Sequence, residues 1–151
     1  VKEFERLKAL ADKARKENQE IVVVMGVGFV GAVMAAIVAD TTDGNGKSTK
    51  FVIGMQRPSP RSFWKIPTIN LGVSPVKAED PEVEPMFARC VNEKKTLVAT
   101  FTNEALTLAD VVIVDVQLDY VKEDLGQVET GHVDMEALED SLGAERDDEG
   151  R

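Results

Sequence analysis

The sequence is poor in the residues that build disulfides and metal clusters. Its 151 residues include one cysteine, Cys90, and one histidine, His132. A single cysteine excludes an intrachain disulfide and any multi-cysteine zinc site, and it fits a reducing compartment. We therefore expect no metal site and a cytoplasmic location. His132 follows a turn in "TGHVD", so we expect it in a solvated loop.

Uninterrupted apolar runs and positive charge are also scarce. The longest near-apolar stretch, residues 21–39, contains three glycines and ends in a polar loop, which does not favour a membrane helix. Residues 1–20 are too charged for a signal peptide. The formal net charge of −9 disfavours general binding to nucleic acid or anionic lipid. We expect neither a nucleic acid nor a membrane as partner.

The segments that remain alternate between strands and helices. Short apolar runs at 20–25, 51–55, 96–101 and 110–118 predict buried strands. Between and around them, helical patterns occupy 2–17, 29–40, 84–94, 102–109 and 133–142, and the first places Phe4, Leu7, Ala11 and Ala14 on one stripe. This alternation predicts an α/β fold: a Rossmann-type doubly wound, mainly parallel sheet with helices on both faces. We expect an N-terminal helix at 1–19, a dinucleotide-binding domain at 20–143 and a charged tail at 144–151.

Two glycine-containing stretches could hold a phosphate. "GNGKST", residues 44–49, has the end of a P-loop, but Thr41 stands where the first glycine belongs. It also follows a predicted helix and precedes a predicted strand, the reverse of the P-loop order. We therefore expect a flexible connection there.

"GVGFVG", residues 26–31, has the context that a dinucleotide fingerprint requires, because it follows a strand directly and opens a helix. Gly26 permits the tight turn, Gly28 lets the backbone approach a pyrophosphate, and Gly31 lets the helix pack closely on the strand. The helix N-terminus supplies free N–H groups for the diphosphate. The alternative is that these glycines serve tight packing alone. The fingerprint predicts as cofactor-binding residues Gly26, Val27, Gly28, Phe29, Val30 and Gly31.

The fingerprint normally continues with an acid at the end of the second strand, which binds ribose hydroxyls. Here that strand runs into Gln56 and Arg57. Gln56 can hydrogen-bond a ribose without charge, and Arg57 can pair with a 2′-phosphate or remain a solvated loop residue. We expect NAD as the cofactor, with NADP as the open alternative.

Several further motifs resemble the N-terminal domain of the UDP-glucose/GDP-mannose dehydrogenase family. "KIPTINLGVSP" is similar to the family's helix with a lysine, which ends in an Asn-x-Gly-x-Ser-Pro turn. Glu84-Pro85 resembles the Glu-Pro that follows, although extra residues separate it from that turn. "FTNEALTLADVVIVDV" resembles the family's segment leading into the fourth strand, and the resemblance covers residues 21–120. The residues in the turn pattern are Lys65, Asn70, Gly72, Ser74 and Pro75.

The resemblance implies a cofactor role for Lys65, Val116 and Gln117. It departs from the family at Gln56, where an acid is usual, and at 117–119, where the family has Pro-Thr-Pro. Members of the family oxidise the C6 alcohol of a nucleotide sugar to a carboxylate in two NAD-dependent steps, through a cysteine in a Gly-rich motif beyond the first domain. No such motif occurs here, and Cys90 has the helical spacing of a core residue.

The resemblance therefore implies the cofactor-binding half of a nucleotide-sugar 6-dehydrogenase, present here as a fragment. The nucleotide-sugar substrate would bind through domains absent from this chain, and the full-length protein would be a candidate homo-oligomer. The alternative is a stand-alone sensor or interaction module that binds a dinucleotide without catalysis. A short reductase is disfavoured because the only tyrosine, in "YVKED", lacks a Tyr-x-x-x-Lys pattern.

Asp115 interrupts the apolar run "VVIVDVQ" near the carboxyl end of the fourth predicted strand. Ligands of open α/β sheets bind at that end of the strands. Two interpretations are open: contact with the cofactor, or a hydrogen-bonded structural acid at the edge of the sheet.

Overall fold

Four short apolar strands form one parallel sheet in the computed structural model, in the order β3-β2-β1-β4. The register places Val23 of β1 beside Ile53 of β2 and Val112 of β4. Every residue of β1 and β2 after the first is buried, as expected for strands that are covered on both faces. The strands are β1 (Glu20–Met25), β2 (Lys50–Met55), β3 (Leu97–Thr100) and β4 (Val111–Val114).

Helices cover both faces of this sheet. On one face, buried residues of α2 (Phe29–Ala39), α3 (Lys65–Asn70) and α4 (Val83–Ala88) join one apolar cluster. On the other face, α1 (Lys2–Lys16) and a 3₁₀ helix (Asn103–Leu108) contribute to a second cluster. The predicted fold class, a Rossmann-type parallel sheet with helices on both faces, is confirmed.

The structure describes residues 1–116, 120–122, 131–133, 135 and 139. It divides the chain into two compact units, Val1–Asp115 and Val116–Arg151. In the second unit, β5 (Tyr120–Lys122) pairs antiparallel with β6 (Gly131–Val133), so the prediction of a loop at His132 is wrong. The helix predicted at 133–142 and the tail at 144–151 lie largely outside the described residues, and the predicted domain limits stay predictions. Among the helices that the structure describes, none is long and apolar enough to cross a membrane.

The N-terminal helix packs onto the sheet through its predicted stripe. Leu7, Ala11 and Ala14 of α1 are buried, and Phe4 packs beside them. A short connection leads from α1 into β1, so α1 runs back along the sheet and its first turn lies near the carboxyl ends of the strands. A hydrogen bond of 3.1 Å from the Thr100 hydroxyl, at the end of β3, to the Glu3 carboxylate is consistent with this direction.

Three predicted elements differ from the observed ones. Residues 103–108 form a 3₁₀ helix in place of an α-helix, and Thr102 provides no side-chain cap. The helix predicted at 84–94 is α4 followed by a π-helical turn, Arg89–Glu93. The fourth strand ends at Val114, earlier than predicted, although the Asp115 N–H still donates to the Met25 carbonyl at 2.8 Å.

The π-helical turn coincides with an ion cluster at the end of α2. Asp40 accepts hydrogen bonds from Arg89 Nε at 2.8 Å and Nη2 at 2.7 Å, and from Lys94 Nζ at 2.7 Å. Its side chain is only 23% exposed. The hydrogen bond from Arg89 is the main cause that holds the pKa of Asp40 well below its ordinary value. We infer that this cluster ties α2 to the segment before β3.

Asp40→Asn should destabilise the protein by about 1–3 kcal/mol at pH 7, because two cationic partners lose a charged acceptor. The lowered pKa of Asp40 stabilises the folded state fully above the unfolded pKa of about 3.9, and this contribution falls as pH drops toward the folded pKa. Urea unfolding at pH 7 and pH 3 should therefore show a smaller difference from wild type at pH 3. The control is Asp12→Asn, which removes an exposed carboxylate from α1; equal losses for the two variants would contradict the prediction.

Candidate functional site

The fingerprint turn begins directly where β1 ends. Gly26 has φ +94°, a conformation that favours glycine, and its N–H donates to the Met55 carbonyl at 2.8 Å. A Cβ atom on Gly26 would overlap the carbonyl oxygen of Asp115. The turn is therefore closed on one side by β2 and on the other by the end of β4.

The third glycine allows α2 to pack against this turn. A Cβ atom on Gly31 would overlap the Gly26 carbonyl oxygen, and it would lie 2.7 Å from Asp115 Oδ2. Both neighbours belong to the turn and to the end of β4, so they have little room to move. The predicted packing role of Gly31 agrees with this geometry.

The middle glycine has a different environment. Gly28 precedes α2 as its N-cap with φ −71°, and no atom lies within 4 Å of the position of a Cβ. The Ala32 N–H donates to the Gly28 carbonyl at 3.1 Å, so the amides of residues 29–31 precede the first helical hydrogen bond. No side chain caps α2, and the side chains of Phe29 and Val30 are 62% and 56% exposed. A ligand can therefore approach the helix end over Gly28.

The end of β2 is joined to the fingerprint turn by a side chain. The Val27 N–H donates to Gln56 Oε1 at 3.0 Å, and the Gln56 N–H donates to the Thr100 carbonyl at 3.1 Å. The side chain of Val27 is fully buried in the core. Val27 could therefore contact a cofactor only through its backbone atoms. Gln56 uses its carboxamide oxygen within the protein, and none of the described residues accepts a hydrogen bond from its Nε2 group.

The remaining predicted site residues lie farther along the chain from the glycines. Arg57 follows Gln56 and is exposed, and Lys65 begins α3 with a half-buried side chain. Val116 follows β4 and is half-buried, whereas Gln117 lies outside the described residues. Their contribution to a cofactor site stays a prediction.

The turn that resembles the dehydrogenase family is held by its own side chains. Asn70 donates from Nδ2 to the Ala99 carbonyl at 2.9 Å and accepts the Ala99 N–H at 2.8 Å. Gly72 has φ +79°, and the Ser74 N–H donates to Glu84 Oε2 at 3.2 Å. The inserted residues therefore do not separate Glu84 from the turn in space. These motif residues secure α3 and α4 at the edge of β3.

The P-loop-like stretch forms a closed polar loop. Thr42 and Ser48 form an isolated antiparallel bridge, and Asp43 Oδ1 accepts the N–H groups of Asn45 at 2.8 Å and Lys47 at 2.9 Å. The loop joins α2 to β2, which is the wrong order for a P-loop. The expectation of a connecting loop is confirmed.

The single cysteine is a core residue. Cys90 is fully buried, with its Sγ 3.7 Å from the Ala36 carbonyl. Burial, assisted by the nearby Asp40 carboxylate, raises the pKa of the Cys90 thiol to about 11. Cys90 therefore has neither the access nor the thiolate character of a nucleophile, as expected.

A concave surface lies at the outer edge of the sheet, beside β3. It encloses about 440 Å³ between the first turn of α1, α3 and the end of β3. The Glu3–Arg6 ion pair, 2.6 Å, stands at this groove, and the hydrogen bond from Arg6 is the main cause that lowers the pKa of Glu3. The groove is lined by Glu3, Arg6, Ile66, Asn70, Ala99, Thr100, Phe101 and Thr102.

Among the solved structures that share this arrangement are three dehydrogenases of nucleotide sugars. An NDP-N-acetyl-D-galactosaminuronic acid dehydrogenase from Methanosarcina mazei Go1 matches with a TM-score of 0.67 and 27% identity, over 91% of this chain and 26% of that one. The chain resembles nucleotide-sugar dehydrogenases. The family resemblance predicted from the sequence is thereby confirmed at the level of structure.

Two more distant structures show the same fold. A UDP-D-ManNAc dehydrogenase from Pyrococcus horikoshii matches with a TM-score of 0.61 and 24% identity, over 84% of this chain and 25% of that one. A UDP-glucose dehydrogenase from Pyrobaculum islandicum matches with a TM-score of 0.58 and 18% identity, over 86% of this chain and 26% of that one. The chain thus spans about a quarter of the length of each. No protein-family profile and no curated protein matches the sequence.

Sequence reasoning missed the contacts that join the strand ends. The Val27–Gln56 hydrogen bond and the packing of Asp115 against Gly26 and Gly31 connect residues that are far apart in the chain. The polar residue within an apolar strand marked Asp115 as unusual. Its partners depended on the strand order, which local patterns do not reveal.

Two glycine substitutions should separate packing from ligand access. Gly31→Ala should destabilise the fold by about 3 kcal/mol or more, because its Cβ overlaps the backbone of Gly26. Gly28→Ala should cost less than about 1 kcal/mol, since its Cβ enters open space and only an N-cap preference is lost. Chemical denaturation of both variants checks this, and a Gly28→Ala loss as large as that of Gly31→Ala would refute the assignment.

Proposed function

We propose that the glycine turn at residues 26–31 and the neighbouring strand ends bind a nicotinamide dinucleotide, with NAD(H) as the first candidate. The observation that carries the proposal is the open approach over Gly28 to the uncapped end of α2. A helix N-terminus with free amides and a positive dipole end is a ready site for a diphosphate. Protein atoms fill the space beside Gly26 and Gly31, whereas the space beside Gly28 is open. Gly28 is therefore the glycine that a ligand could approach.

The residues of this site would act by binding and orientation. The amides of Phe29, Val30 and Gly31 would donate to the diphosphate, and Gln56 Nε2 would face the adenosine ribose. Gln56 also holds the Val27 amide, so the turn is braced before a ligand arrives. The nicotinamide, when bound, supplies hydride transfer.

The end of β2 supports acceptance of NADP as well as NAD. The usual acid at this position would repel a 2′-phosphate, whereas this chain offers the neutral Gln56 and, next to it, the exposed cation Arg57. The choice between the two cofactors then depends on how strongly Arg57 attracts the additional phosphate.

We propose further that the chain is the cofactor-binding part of a nucleotide-sugar 6-dehydrogenase, which oxidises the C6 alcohol of a UDP- or GDP-sugar. The M. mazei match, which concerns an NDP-N-acetyl-D-galactosaminuronic acid dehydrogenase, supports this class of reaction. In that protein the region similar to this chain is 26% of the whole, so the substrate would bind largely through other parts. Homo-oligomerisation and a cytoplasmic location remain predictions.

A second candidate is a dinucleotide-binding sensor or interaction module without catalysis. Gln56 in place of the usual acid and the missing Pro-Thr-Pro at 117–119 favour it, because both positions normally line the cofactor of the dehydrogenases. The coding sequence around this chain discriminates: a downstream Gly-rich cysteine motif in the same reading frame supports the dehydrogenase.

A titration with NADH, followed by nicotinamide fluorescence, tests the cofactor proposal. We expect saturable binding that Gly28→Val weakens at least tenfold, because the side chain would enter the space over the helix end. Gly44→Val is the matched control, since Gly44 also has open space around its Cβ position but lies in the α2–β2 loop. Absence of saturable binding, or equal weakening by both variants, would sink the proposal.

A parallel titration with NADPH tests the cofactor preference. We expect affinities for NADH and NADPH within about tenfold of each other, because no carboxylate stands at the end of β2. Arg57→Ala should weaken NADPH by about five- to twentyfold and leave NADH within about twofold. Equal losses for both nucleotides would show that Arg57 does not contact a 2′-phosphate.

A further inference from the structure

Asp115 is the carboxylate that packs directly against the fingerprint glycines. Its N–H donates to the Met25 carbonyl, its own carbonyl closes on Gly26, and its Oδ2 lies against Gly31. Ile113, two residues earlier, packs into the cluster beneath α2, so the alternation of β4 turns Asp115 toward the same helix. The side chain is half-buried at the carboxyl end of β4.

This carboxylate lacks a protein partner in the part of the chain that the structure describes. None of the described residues donates a hydrogen bond to it or forms an ion pair with it. Asp40 shows the contrast, because that half-buried aspartate is held by both Arg89 and Lys94. A half-buried charge without a donor is costly, and a ligand that supplies a donor relieves that cost.

The strand order indicates which part of a dinucleotide passes Asp115. The diphosphate would lie over β1 and the adenosine ribose toward Gln56 on β2, so the other half of the ligand extends to the opposite neighbour, β4. Adjacent strands are about 4.8 Å apart, which is within one sugar unit. The ribose next to the nicotinamide therefore comes to the carboxylate at the end of β4.

We propose that Asp115 is the ribose-binding acid of this site, on β4 rather than on β2, and that its carboxylate accepts a hydrogen bond from the nicotinamide-side ribose. The inference rests on the proposed dinucleotide function. Gln56, whose oxygen already holds the Val27 amide, would face the other ribose, on the adenosine side. Asp115 is then a binding residue that distinguishes dinucleotides from mononucleotides.

A series of three ligands tests the proposal by isothermal titration calorimetry: ADP, ADP-ribose and NADH. ADP lacks the second ribose, whereas ADP-ribose and NADH both carry it. We expect Asp115→Ala to weaken ADP-ribose and NADH about ten- to a hundredfold and to leave ADP within about threefold. Asp115→Asn, which keeps the shape and one acceptor oxygen, should give a smaller loss in the same two ligands.

The controls separate this proposal from the function on which it rests. Asp12→Ala removes an exposed carboxylate of equal charge, and thermal melting of each variant verifies the fold. If wild type binds all three ligands and Asp115→Ala changes none, or changes ADP equally, this inference is overturned while the dinucleotide function stands. Tighter binding of all three by Asp115→Ala would mean that the carboxylate only repels the diphosphate, which also overturns it. If wild type binds none of them, both proposals fall.

Discussion

The close approach between the end of β4 and the glycine turn is the constraint on which the rest of this structure depends. Backbone atoms of Asp115 fill the space beside Gly26, and its side chain fills the space beside Gly31. A side chain at either glycine would overlap these atoms. Because both residues are glycines, α2 can begin directly after the turn and pack closely against it. The Cβ position of Gly28, by contrast, faces open space at the start of α2, where the candidate site lies.

Side-chain hydrogen bonds fix the positions of the elements around this turn. Gln56 joins β2 to the turn, Asn70 pairs with the outer edge of β3, and Asp40 ties α2 to the residues before β3. Arg15 donates to the Leu108 carbonyl at 2.7 Å and connects α1 with the end of the 3₁₀ helix. The apolar clusters supply most of the stabilisation, and these polar contacts decide where each helix sits along the sheet.

Local sequence patterns correctly predicted the elements that bury a continuous apolar run or an apolar stripe. Runs of β-branched residues such as 21–24 favour buried strands, and the stripe through Leu7 and Ala14 is the helix face that the sheet covers. The patterns were less successful where tertiary contacts compete with helical hydrogen bonds. Arg89 at the start of the π-helical turn and Lys94 directly after it both reach Asp40, and residues 103–108 close the short β3–β4 connection as a 3₁₀ helix.

Hydrophobic periodicity and glycine spacing are local properties of the chain, so the amino-acid sequence was enough to predict an α/β protein with a strand–glycine turn–helix unit. A P-loop at 44–49 is likewise disfavoured by local features, since Thr41 stands where the first glycine belongs and the stretch lies between a helix and the following strand. The space over Gly28, the hydrogen bond that Gln56 makes and the position of Asp115 are visible only in the folded chain. These features depend on the strand order and on contacts between residues far apart in the chain, and a local sequence pattern predicts neither of them.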